Sequence, residues 1–114
     1  MKRINAVFFC SATGREPVRE WLKGLSKEDR KIVGTDIATA EFGWPIGMPI
    51  CRKITSHKGL WEIRSDISDN RITRVLFTVE KGQLVLLHGF VKKTERAEKR
   101  ELDLAMKRKK DLDR

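Results

Sequence analysis

Between residues 60 and 91 the chain carries three apolar-rich runs in quick succession, LWEIRSDI (60 to 67), RITRVLFTV (71 to 79) and QLVLLHGFV (83 to 91), with only SDN and EKG at the joints. Branched and aromatic residues alternating with polar ones mark strands. Connections this short leave no room for a crossover, so neighbouring strands must run antiparallel. The result is a β-meander around which every other element has to pack.

Upstream, INAVFFC (4 to 10) reads as one more short strand, bounded by the turn-prone SATGRE. In EPVREWLKGL, Val18, Trp21, Leu22 and Leu25 fall at helical spacing and Pro17 suits a first helical turn. Ser26 with Asp29 three residues on signals a second helix start. Ile32, Val33, Ile37 and Ala40 give that helix its apolar face, and it should stop near Gly43. Joined this tightly, the two helices form a hairpin. WPIGMPI (44 to 50) must be a loop. From Thr94 a charged helix follows, with a thin stripe of Ala97, Leu102, Ala105 and Met106, and a tail from about 107 to 114 expected to fray.

The expected fold is one α+β domain over 1–114. An antiparallel sheet, the N-terminal strand plus the three-stranded meander, carries the helical hairpin on one face and is joined by a C-terminal helix. The length of 114 residues suits a single core. A formal net charge of +9, concentrated in the second half, points to an anionic partner such as a phosphate backbone or an acidic protein. Cys10 and Cys51 have no metal-ligand or disulfide spacing and read as buried reduced thiols. No signal peptide or membrane-length apolar run is present, so a cytoplasmic protein with no membrane partner is expected.

Alternation assigns faces. Trp61, Ile63 and Ile67, then Val75, Phe77 and Val79, then Val85, Leu87 and Val91 form apolar faces for the hairpin. The opposite faces gather Arg64, Arg74, His88, Phe90, Lys92 and Glu62, along with Leu76, Leu84 and Leu86, which need a cover from the C-terminal helix or a partner. Arginine holds a phosphate with paired hydrogen bonds, lysine places a point charge, and an aromatic ring can stack a splayed base. Strand cleavage of RNA asks for a proton acceptor at the 2′-hydroxyl, a donor at the leaving 5′-oxygen and cations at the crowded phosphorus. No metal or other cofactor is needed for this. Taken singly, a strand-end histidine is more often structural and a lone strand arginine more often solvated. Their coincidence on one face raises the functional reading.

GLWEIR, RITRVLF and a strand ending in HGFVKKT, in this order, resemble the phage-derived HigB-like branch of the RelE/ParE toxin superfamily. The resemblance covers residues 59 to 97 well and the rest in layout. It implies a RelE/ParE-like fold and a type II toxin-antitoxin toxin acting as a ribosome-dependent mRNA endoribonuclease. It also implies a cognate antitoxin, often a helix-turn-helix DNA-binding protein, as partner alongside mRNA and ribosome. By motif position Arg64 and Arg74 become the strand cations at the scissile phosphate, with Lys92 or Lys93 at the last strand's end and His88 beside them. Phe90, Arg96, Lys53, His57 and Lys58 become candidates for RNA or ribosome contacts. The chain has no tyrosine, the residue several relatives place near the active centre, which leaves Lys92, Lys93, His88 or Glu62 as proton acceptor. A gyrase-directed toxin and a non-catalytic RNA-binding module are the alternatives.

Overall fold

The computed structural model describes residues 1–92 and 95–112, with the backbone alone at 95–97. The elements run β1 (Asn5–Phe8), α1 (Pro17–Lys23), α2 (Lys27–Gly43), β2 (Cys51–Lys53), β3 (Trp61–Ile67), β4 (Arg71–Glu80), β5 (Gln83–Val91) and α3 (Glu95–Asp111). The meander is as the sequence requires. Glu80 pairs with Gln83 across Lys81 and Gly82, both left-handed at φ 51° and 73°, the geometry of a two-residue hairpin turn. Asp69 and Asn70, at φ 59° and 56°, turn β3 into β4 with residue types that tolerate this region.

The sheet is larger and more mixed than expected. Its order is β1-β5-β4-β3-β2, with β1 parallel to β5 and every other pair antiparallel. The three residues of β2 form an edge strand that the proline-rich run before them hides in the sequence. Helices also cover both faces. α1 and α2 pack on one side over Ile63, Ile67, Val75, Phe77, Leu84 and Leu86. α3 packs on the other over Leu60, Leu76, Val85, Leu87 and Phe90, burying its own Leu102 and Ala105. It stays helical through Asp111, past position 107 where fraying was expected.

One bulge corrects the assignment of faces in β5. Leu76 pairs with His88 but Phe77 pairs with Leu86, so Leu87 is an extra residue that shifts the alternation. Leu84 and Leu86 therefore belong to the hairpin core, and Val85 and Leu87 face α3, the reverse of the period-two expectation. Beyond the bulge His88 and Phe90 face α3, while Gly89 turns toward α1. A Cβ on Gly89 would lie 2.4 Å from Cε3 of Trp21, so the close approach of the indole demands glycine. Gly89→Ala should lower stability by about 1–3 kcal/mol, read from the denaturant midpoint, because the ring has to leave its place. An unchanged midpoint would show that Trp21 is free to move.

The hairpin is fixed by polar groups. Ser26 Oγ caps α2 by accepting from the Asp29 N–H at 3.1 Å, and Arg30 donates to the carbonyls of Leu22, Lys23 and Leu25 at the end of α1. Glu41 accepts from the Ala6 N–H at 2.8 Å, tying the edge strand β1 to α2. The Asp29 carboxylate, 2% exposed, accepts from Ser68 N and Oγ at 3.0 Å each and from Arg71 Nη2 at 2.9 Å. These donors, the Ser68 N–H foremost, hold its pKa below the ordinary aspartate value. A depressed carboxylate stabilises the fold above its unfolded value and loses that contribution as pH falls through the folded one. Asp29→Asn should therefore flatten the acid side of the stability–pH curve measured by urea unfolding. Parallel curves for both proteins would contradict this.

The tryptophans are anchors, as read. Trp44 meets Trp61 edge-on at 5.1 Å and Phe77 at 5.6 Å. Cys51 is buried, and burial pushes its thiol up to about 11, so it is inert. Cys10, expected inside, is exposed.

Candidate nucleic-acid site

Register places Arg64 directly opposite Arg74, Arg74 opposite Phe90, and Glu62 and His88 on either side of Leu76. Cross-strand partners share a face, so the face that the sequence assembled from Arg64, Arg74, His88, Phe90 and Glu62 exists. What the sequence did not place is α3 over it.

Under α3 the basic groups lie against acids, although Arg74 Nε and Nη1 and Glu62 Oε2 are buried without a hydrogen-bond partner among the described residues. Arg74 is 4% exposed, with Nε 3.4 Å from Glu62 Oε2 and Nη1 paired with Glu98 of α3. Glu62, 3% exposed, also takes the Arg52 Nε at 2.9 Å. His88 stacks on Phe90 at 5.5 Å. Its Nε2 bonds Glu101 of α3, and its Nδ1 lies 3.3 Å from Arg108 Nη1. A guanidinium only donates, so Nδ1 must accept and Nε2 carries the proton toward Glu101. Burial pushes His88 below the usual histidine value, outweighing Glu101. Neither nitrogen is left for a substrate in this arrangement.

Glu98, Glu101, Leu102, Ala105 and Arg108 lie on one helical face, so the inward side of α3 is partly acidic while Lys99, Arg100, Lys107 and Lys110 point to solvent. Position 103 adds a third acid–base pair at the rim, with Asp103 Oδ1 2.9 Å from His57 Nε2.

Arg52, Lys53 and Arg64 are exposed along the β2 edge. One cleft, of about 480 Å³, is lined by Ile32, Asp36, Met48, Ile50, Arg64 and Asp66. A narrow neck between Arg52, Glu62 and Arg64 leads on to a second, of about 420 Å³, lined by Arg52, Lys53, Ile54, Ser56, Glu98 and Leu102. Shared residues make these one groove with Arg64, Arg52 and Lys53 along its wall. Arg64 is exposed; its N–H donates to Ile50 O at 3.0 Å, and among the described residues its guanidinium has no hydrogen-bond or ion-pair partner. A like-charged pair across two strands is destabilising, and only Arg74 of the two is compensated by carboxylates.

The remaining sequence candidates are distributed as follows. Lys53 and Lys58 are exposed near the β2–β3 turn, and His57 is half-buried between them. Lys92 is half-buried just past the end of β5, its N–H donating to Ile72 O at 2.8 Å. Lys93 and the Arg96 side chain lie outside the described residues. Sequence reasoning missed Arg52, for want of the strand that carries it. It also counted Leu84 and Leu86 as partner-facing when the hairpin core takes them.

A small mixed α+β sheet carries along its β2 edge a groove where Arg52, Lys53 and Arg64 stand among Asp36, Glu62, Asp66 and Glu98. A family model described as Phage derived protein Gp49-like (DUF891) matches residues 20–110, and the chain belongs to that family, a family of RelE/HigB-type toxins. No curated protein and no solved structure gives a significant match. Among the described residues no cluster of metal-ligating side chains occurs and no helix is long and apolar enough to cross a membrane.

Proposed function

We propose that this chain is a HigB-like toxin of the RelE/ParE superfamily that cuts mRNA on the translating ribosome and is held in check by a cognate antitoxin. The observation that carries this reading is Arg64, an uncompensated arginine on a groove shared with Arg52 and Lys53 in a chain of a toxin family. A groove of this form suits single-stranded RNA, whose backbone follows cations while bases stay unstacked. The basic outer face of α3 suits ribosomal RNA. Leu84 and Leu86 are lost to the core as antitoxin contacts, so the antitoxin has to engage the cationic groove itself or α3.

The test is to add purified protein to a reconstituted translation system and map the 5′ ends of one message by primer extension. New ends inside the translated region are expected. Unbroken message would sink the nuclease reading. One observation favours a second reading, a binder that leaves RNA intact: Arg74 and His88 are both engaged by α3. It predicts salt-sensitive RNA binding with no new ends.

A further inference from the structure

The four proton acceptors that the sequence offered are reduced in number by the fold. Both His88 nitrogens are occupied, and Glu62 lies between Arg52 and Arg74. A different histidine has the geometry of a general base. His57 is fixed in the β2–β3 turn, where its carbonyl accepts from Leu60 N at 3.1 Å. Its ring, 18% exposed, has Nε2 2.9 Å from Asp103 Oδ1 and Nδ1 2.8 Å from Ser56 Oγ. Ser56 is exposed and lines the cleft shared by Arg52 and Lys53.

Resting on the RNA-cleaving reading above, we propose that His57 is the group that takes the 2′-hydroxyl proton, with Asp103 as its positioning residue. The His57 contact, then that of Lys99, hold the Asp103 carboxyl below its ordinary range, so it stays an acceptor. An ionised acceptor on Nε2 places the proton there and leaves the Nδ1 lone pair aimed at a hydroxyl. Ser56 Oγ occupies the position the substrate hydroxyl takes. When the 2′-hydroxyl replaces it, Nδ1 accepts the proton as O2′ bonds to phosphorus and the P–O5′ bond breaks. The departing 5′-oxygen takes a proton from water in the open cleft. Arg52 and Lys53 line that same cleft, and Asp103 stabilises the imidazolium until it returns its proton to solvent. The products are a 2′,3′-cyclic phosphate and a 5′-hydroxyl. Charged groups near the ring are Asp103, which Lys99 also engages, and Lys58 next in the chain, while Arg52, Lys53 and Glu98 line the cleft that Ser56 shares.

The experiment compares wild type, His57→Gln and Asp103→Asn for cleavage rate against pH in reconstituted translation, with ribosome binding and thermal unfolding measured on the same preparations. General-base catalysis contributes about 10²–10⁴-fold, so His57→Gln should cut at least about 100-fold more slowly with binding intact. The acid limb of the pH–rate profile should disappear with it. Asp103→Asn should slow single-turnover cleavage with ribosome binding unchanged, since the ring loses the carboxylate that positions it. A His57→Gln protein that cuts at the wild-type rate overturns the assignment. So does one that is slowed but keeps the same acid limb, as a purely structural pin would. If wild type itself leaves the message whole, the nuclease reading falls and takes this one with it, an outcome visible before any variant is made.

Discussion

Arg64→Ala should lower mRNA cleavage by about 10²–10³-fold while leaving the folded protein as stable as before. Loss of one preorganised contact to developing charge costs about 2.7–4 kcal/mol in the transition state. The side chain is exposed and has no partner among the described residues, so its removal opens no cavity and orphans no buried group. It also relieves the repulsion with Arg74 across the strands, so the unfolding midpoint should hold or rise slightly. Primer extension and a urea titration on the same sample measure both halves. Equal cleavage by variant and wild type would remove Arg64 from the site.

Arg74→Ala should behave in the opposite way. Its guanidinium lies buried between Glu62 and Glu98, so truncation leaves a nearly inaccessible Glu62 carboxylate with Arg52 as its remaining partner. Removing one member of a buried ion pair costs about 3–5 kcal/mol, which in a chain of this size lowers the thermal midpoint by about 10 °C or more. The Glu62→Gln, Arg74→Met double variant should recover part of the loss, because it removes the stranded charge together with its partner. Additive effects of the two single changes would contradict the coupling. Two arginines that face each other on adjacent strands are thus predicted to fail by different routes, one through chemistry and one through stability.

That contrast was not legible in the sequence. Period-two alternation put Arg64 and Arg74 on one face correctly, because the β3–β4 ladder is regular from Trp61 to Arg71. The Ser26 cap, the Trp21 face of α1 and the meander boundaries were equally open to reading, since each rests on a local pattern. The bulge at Leu87 was not, because one inserted residue leaves no mark in a run of leucine and valine, and it exchanged the faces of Leu84 to Leu87. β2 escaped notice because CRK is short, polar and follows prolines. The parallel pairing of β1 with β5 is set by which edge lies open after the meander forms, a property of the whole sheet. For α3 the signal was present: 98, 101, 102, 105 and 108 recur at helical spacing. Two of those positions are glutamates, which a hydrophobicity pattern discounts, and they are the groups that engage Arg74 and His88.

On the proposed function, single-stranded RNA runs along the β2 edge, between Arg64 and Lys53, and not across the sheet face that α3 covers. The measurement is a backbone-amide NMR titration with a short RNA carrying 2′-O-methyl ribose at every position, so that no free 2′-hydroxyl is present and no cleavage occurs. Shifts are expected to concentrate at residues 50 to 58 and 62 to 66, with those of Leu76, His88 and Phe90 nearly still. Large shifts confined to the strands under α3, or shifts spread over α1 and α2 with the β2 edge unmoved, would contradict it.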